Sequence, residues 1–122
     1  SMYRVLIADD HELTRLGLQQ FLMSTGLVSV VGHASNGLQT LGKLRSEGPW
    51  QILILDVDMP DRGGLDILRS VRAQYPDLKV LIVSGLPERQ FGLQALRAGA
   101  HGYLPKAGLM EEFHTALPTI NR

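Results

Sequence analysis

The chain has 122 residues, is 44% hydrophobic and carries 12 basic against 12 acidic side chains, for a formal net charge of +0. That suits one globular domain with a core of ordinary size, and it provides no electrostatic footprint for direct binding of DNA, RNA or an anionic membrane. The sequence has no cysteine, which excludes disulfides and thiolate metal sites, and it shows neither a run near the ~18 apolar residues of a membrane span nor a signal-peptide pattern.

Strand-like and helix-like segments alternate along the chain. Tyr3–Ala8 (β1) is a run of β-forming residues that stops at Asp9-Asp10. His11–Ser24 (α1) carries Leu18, Phe21 and Leu22 on one helical stripe. Val28–Ala34 (β2) leads to Asn36–Ser46 (α2), whose stripe is Leu38, Leu41 and Leu44-Arg45 and which ends before Gly48-Pro49. Gln51–Leu55 (β3) runs straight into Asp56-Val57-Asp58. Leu65–Gln74 (α3) carries Leu65, Ile67, Leu68 and Val71 and stops before Tyr75-Pro76. After Lys79–Ser84 (β4), the segment Pro87–Ala98 (α4) opens with proline in its first turn and closes at Gly99, a favourable residue just past a helix. Gly102–Leu104 (β5) is short, as an edge strand is. Leu109–Leu117 (α5) presents Leu109, Met110, Phe113 and Leu117, and Pro118 ends or kinks it.

Strands alternating with helices argue an α/β fold with a parallel sheet covered on both faces. A flavodoxin-like (βα)5 three-layer sandwich of strand order 2-1-3-4-5 fits best, because it sets β1 beside β3 at the topological switch point. Residues 2–118 form the expected domain, with 119–122 as the start of a linker to a further domain. Ser1 reads as a remnant of tag cleavage and Met2 as the natural start. A cytoplasmic location is expected.

In an open α/β sheet, ligands bind beyond the carboxyl ends of the strands. The expected order brings Asp9, Asp10 and Asp56 together there. Three carboxylates so close repel one another unless a cation lies between them, and hard oxygen donors suit Mg²⁺. Asp56, at a strand end, is placed to attack phosphorus; Asp9 and Asp10 would hold the metal, with the backbone carbonyl of Asp58 as a further ligand. Ser84 at the end of β4 would donate to a phosphoryl oxygen, and Lys106 after β5 would supply positive charge. Singly, each of these side chains reads as an ordinary turn, cap or surface residue; at successive strand ends they read as a site.

Asp9-Asp10, Leu55-Asp56, Met59-Pro60, Gly63-Gly64, Ser84-Gly85 and Lys106 resemble the pattern of bacterial two-component receiver domains, over Tyr3 to about Leu117. Asp9-Asp10-His11 with Arg15-Leu16-Gly17-Leu18, and the stretch from Ala95 to Tyr103, are similar to receivers that precede a LuxR/NarL-type helix-turn-helix domain. The resemblance implies that Asp56 is phosphorylated by a histidine kinase in a Mg²⁺-dependent reaction. It implies that Ser84 reorients toward the phosphoryl group, that Lys106 contacts it, and that Tyr103 moves inward as the coupled aromatic. The face formed by α4, β5 and α5 would then change its partner preference, with homodimerisation on phosphorylation and DNA reached only through an output domain absent from this chain. Such a module is not an enzyme acting on a separate substrate.

The sequence departs from the pattern in three places. Lys106 is followed by Ala107 where proline is frequent after a usually cis peptide, and a non-proline cis bond costs ~3 kcal/mol, leaving its isomer open. Asp58 stands two residues after the phosphoacceptor, where side chains bear on phosphate lifetime, with the sign of an acid's effect open. Pro118 shortens the last helix. Two other readings compete. Asp56-Val57-Asp58 also looks like the nucleophile motif of haloacid-dehalogenase-type phosphatases, although that family uses its first strand and a larger chain. A phosphate-independent interaction module is the other, though such domains generally lack part of the acidic set or the lysine.

The remaining candidates have bland readings. His11 reads as a helix-cap neighbour facing solvent more readily than as part of a metal shell, and His33, His101 and His114 show no ligand spacing. Trp50 reads as packing, and Gly63-Gly64 as a tight turn after β3. Phe91, Gln94 and Arg97 on α4 form either a partner surface or a half-exposed helix face.

Overall fold

The computed structural model describes residues 2–59, 61, 63–85 and 88–106, except the side chains of 88–91. The expected α5, with Pro118, His114, the Lys106-Ala107 peptide and the linker, lies outside the described residues, as do Pro87 and the Phe91 side chain. Strands and helices alternate as β1 (Tyr3–Ala8), α1 (Glu12–Ser24), β2 (Val28–Ala34), α2 (Gly37–Ser46), β3 (Ile52–Asp56), α3 (Gly64–Gln74), β4 (Lys79–Ser84), α4 (Glu88–Arg97) and β5 (Gly102–Pro105). The sheet runs β2-β1-β3-β4-β5, and every neighbouring pair is parallel. This is the expected flavodoxin-like order.

The two-residue period of the strands divides them between two cores. Leu6, Ala8, Leu53, Leu55, Val80, Ile82 and Tyr103 pack with residues of α2, α3 and α4 on one face. Their alternates Val5, Ile7, Ile52, Ile54, Leu81, Val83 and Leu104 pack with Leu18 and Leu22 of α1 on the other. The three central strands are buried almost throughout, which explains why they read as continuous apolar runs.

The boundaries shift by a residue or so from expectation, and one shift bears on chemistry. β3 extends to Asp56, which pairs in register with Val83, so the carboxylate stands on the last residue of a central strand and not on a loose loop. His11 becomes the N-cap residue of α1 without a side-chain capping bond. The α2 stripe needs correction: Leu38 is exposed, whereas Gly37, Thr40 and Leu44 are buried. Residues 38 and 44 lie about 120° apart around a helix of 3.6 residues per turn, which carries Leu38 off the face that buries Leu44. The α2 start is held from across the fold, because Asp61 accepts from the Gly37 and Leu38 amides at 2.8 and 3.1 Å.

Two glycines matter for shape. Gly99 adopts φ 105° after α4; the Ala100 amide bonds back to Ala95 and the Gly99 amide to Leu96, a double-bonded helix stop that favours glycine. Gly64 lies so close to Val57 that a Cβ there would sit 2.5 Å from the Val57 Cα. The turn expected at Gly63-Gly64 is thus a close backbone approach that anchors the loop after β3. Trp50 packs as expected: its indole donates to the Lys43 carbonyl at 3.2 Å, and the Arg4 guanidinium lies 5.2 Å from its ring centroid.

Candidate functional site

Parallel strands all point their carboxyl ends the same way, so Asp9, Asp56, Ser84 and Lys106 meet at one edge of the sheet. Asp9 and Asp56 are 2% and 1% exposed, and Ser84 is fully buried. The two carboxylates are held alike. Asp9 Oδ1 accepts from the His11 amide at 2.8 Å, and Asp56 Oδ1 accepts from the Asp58 amide at 2.9 Å. Each acid therefore binds the amide two residues on, a local turn that Asp forms readily. That leaves the Oδ2 atoms facing Lys106, whose Nζ lies 3.2 Å from Asp56 and 3.6 Å from Asp9. The Lys106 amide in turn donates to the Ser84 carbonyl at 2.8 Å, tying the lysine to the end of β4.

Asp10 is the outer acid of the cluster. Its Oδ1 lies 3.1 Å from His11 Nδ1, which is also 3.2 Å from Asp9 Oδ1. Ligand atoms of Asp9, Asp10, His11 and Asp56 all fall within 4.8 Å of one another. His11 is solvent-facing, as expected, with its side chain 64% exposed, yet it also touches the acids. Three carboxylates against one ammonium leave an excess of negative charge in a largely buried setting.

Burial pushes the Asp56 carboxyl above its usual range; Asp9 adds to the rise, while the Asp58 amide and Lys106 oppose it. For Lys106, burial alone would lower the ammonium, but Asp56, Asp9 and Asp58 outweigh it and hold it above its usual value. The donor set therefore fits a hard dication: carboxylate oxygens converge, and the charge excess is of the right sign and size. Among the described residues, Asp9, Asp10 and Asp56 would hold it.

Several contacts at this edge escape a reading of the residues in chain order. The Asp58 carboxylate reaches across to β4, where Oδ2 accepts from the Gly85 amide at 3.1 Å and lies 3.4 Å from Ser84 Oγ. Arg15 Nη1 donates to the Asp9 carbonyl at 2.5 Å, fixing the turn that carries the acids. Arg15 lies four residues after His11, one turn into α1, the only sequence signal that it faces back. Tyr103 is buried in the core, so its ring stands inward in this structure. Two further histidines among the described residues serve the frame: His33 pairs with Gln19 at 2.5 Å, and His101 Nδ1 accepts from the Val80 amide at 3.1 Å. A groove of about 560 Å³ beside Trp50, Tyr75 and Pro76 lies at the opposite end of the sheet, away from the carboxylates.

Known proteins are similar to this chain. Residues 5–118 match the response regulator receiver domain family. The chain is 42% identical over 119 residues to the response regulator GacA of Pseudomonas protegens, covering 98% of this chain and 55% of that one. It is 31% identical to the response regulator UvrY of Escherichia coli, covering 98% of this chain and 54% of that protein. A LuxR-family two-component response regulator from Aurantimonas superposes with a TM-score of 0.89 at 27% identity, covering 98% of this chain and 85% of the other. The chain spans about half the length of the curated relatives it matches. With the fold, the acidic edge and the family match in agreement, the chain belongs to the response regulator receiver domains, in their LuxR/NarL-type branch.

Proposed function

We propose that this domain is a phosphorylation switch in which Asp56 accepts a phosphoryl group from the phosphohistidine of a histidine kinase. The carrying observation is the position of Asp56 on the last residue of a central strand, 3.2 Å from Lys106 and within 4.8 Å of the other acids. Its Oδ1 is held by the Asp58 amide, which fixes the carboxylate and leaves Oδ2 to act as nucleophile. Asp9, Asp10, Asp56 and the Asp58 carbonyl are the proposed Mg²⁺ ligands. When bound, the dication neutralises the incoming phosphoryl oxygens, so that catalysis is mostly positioning and electrostatics. Lys106 contacts the phosphoryl group once Asp56 Oδ2 has bonded to phosphorus.

Ser84 and Tyr103 are the proposed switch residues, coupling the acidic edge to the face of α4 and β5. On that face Leu93 and Leu96 are 60% and 48% exposed, and Gln94 and Arg97 are also exposed. This supports a partner surface there, serving a homodimer or an output domain that binds DNA. Biasing such an equilibrium tenfold takes about 1.4 kcal/mol, which a few charge-assisted hydrogen bonds supply. The protein acts in the cytoplasm in this reading and processes no separate substrate; among the described residues, no helix is long and apolar enough to cross a membrane.

The test is thermal unfolding with beryllofluoride, a phosphoryl mimic, with and without Mg²⁺. A rise in Tm that needs both, and that is lost in Asp56→Asn, is expected. Mg²⁺-dependent labelling of Asp56→Asn by a phosphorylated kinase would refute the assignment.

A further inference from the structure

From the Asp58 contacts we infer that this side chain is a built-in competitor for the phosphoryl site, a clamp that holds the end of β4 until a phosphoryl group displaces it. The inference rests on reading Asp56 as the phosphoacceptor. Asp58 engages both strand ends at once. Its amide donates to Asp56 Oδ1 at 2.9 Å, while its carboxylate accepts from the Gly85 amide at 3.1 Å and lies 3.4 Å from Ser84 Oγ.

An anionic oxygen set between the Ser84 hydroxyl and the Gly85 amide is what a phosphoryl oxygen on Asp56 would also provide. Both donors sit at the end of β4, next to β3, where Asp56 pairs with Val83. The carboxylate therefore occupies, within the same molecule, hydrogen-bonding capacity that the switch needs. Hydrogen bonds to an ionised acceptor are stronger than neutral ones, so release has a real free-energy cost. Asp58 also adds, after Asp56 and Asp9, to the negative surroundings of the Lys106 ammonium. The backbone carbonyl of Asp58 is not used by the clamp and stays available to a metal. Asp58 is exposed, so replacing it spares the core.

The experiment measures the affinity of beryllofluoride with Mg²⁺ for the wild-type domain and for Asp58→Ala, Ser84→Ala and the double variant. The clamp predicts at least about tenfold tighter binding for Asp58→Ala, a change of about 1.4 kcal/mol. It also predicts that this gain shrinks in the Ser84→Ala background, because only the Gly85 amide is then left to release. A simple loss of negative charge would give the same gain in both backgrounds and would overturn the clamp, as would unchanged or weaker binding by Asp58→Ala. A wild-type domain that binds no beryllofluoride removes the phosphoacceptor reading itself, a result distinct from normal wild-type binding without an Asp58 effect.

Discussion

Lys106 is the cation that the described structure sets against two buried carboxylates, so removing its charge probes the electrostatics of the whole edge. Lys106→Met keeps the aliphatic stem and deletes the ammonium. The lost partner lay 3.2 Å from Asp56 and 3.6 Å from Asp9, whose side chains are 0% and 3% exposed. Taking one member from a buried pair costs about 3–5 kcal/mol, because a charge is left uncompensated. The lysine itself is 27% exposed, so water moderates the loss and the lower end, about 3 kcal/mol, applies. At roughly 4 °C per kcal/mol for a domain of this size, Tm falls by about 12 °C. The assay is thermal unfolding followed by circular dichroism, in chelator and low salt at pH near 7.5. The deficit must also depend on pH with a definite sign. Burial already holds Asp56 above its ordinary 3.8, with Asp9 adding and Lys106 opposing, so the variant raises it further. A carboxyl raised on folding contributes stability below its unfolded pKa and loses it as pH rises through the folded value. The gap between variant and wild type therefore opens as pH rises and narrows toward acid. An equal Tm at neutral pH, or a gap unchanged down to mild acid, refutes the reasoning.

The same physics makes further predictions. Asp56→Asn, which substitutes a neutral side chain for a carboxylate that burial disfavours, is expected to raise the Tm of the metal-free domain by a few degrees and to abolish stabilisation by Mg²⁺; a lower Tm in chelator contradicts this. Burial, helped by Arg72 and Lys79, holds the His101 imidazole below its ordinary 6.5, and Nδ1 already accepts the Val80 amide. Its contribution to stability is therefore present above 6.5 and lost as pH falls through the lowered folded value; an NMR titration that places His101 at or above 6.5 would show otherwise. Gly64→Ala drives a Cβ to 2.5 Å from the Val57 Cα, which on overpacking values costs about 1–3 kcal/mol. Because that loop carries Asp58, Mg²⁺ affinity by calorimetry should fall together with the urea midpoint, and an unchanged midpoint counts against the close approach.

Much of this site was legible because its determinants are local. Val5–Ala8, Ile52–Leu55 and Val80–Val83 are fully buried strands, so they carry apolar side chains at every position, and the first polar residue marks the carboxyl end. Asp9, Asp56, Ser84 and Lys106 could be placed from that signal and the strand order. What could not be read depends on helix phase or on pairs distant in sequence. Leu38 is apolar but lies about 120° around α2 from Leu44, off the face that buries Gly37, Thr40 and Leu44, so residue type alone misassigns it. Asp58 and Gly85 are separated by 27 positions, and nothing periodic links an exposed acid to an amide so far along the chain. His101 likewise meets Val80 across 21 positions; its role as acceptor follows from β5 lying beside β4.

An edge that holds Asp9, Asp10 and Asp56 against one lysine is unfavourable in isolation, and the fold tolerates it because of where the acids are rooted. Asp9 follows β1 and Asp56 ends β3, the two strands joined at the switch point of the sheet. Leu6, Ile7, Leu53 and Ile54 are at most 1% exposed. At roughly 1.5–3 kcal/mol for each large apolar side chain buried, these neighbours outweigh a local repulsion of a few kcal/mol. The amides of His11 and Asp58 then fix one oxygen of each acid, so the repulsion cannot relax by rotating the carboxylates apart. It persists as a preorganised demand for positive charge of the kind a hard dication would meet. A sheet less deeply buried at β1 and β3 would splay under that repulsion and lose the geometry on which any switch depends.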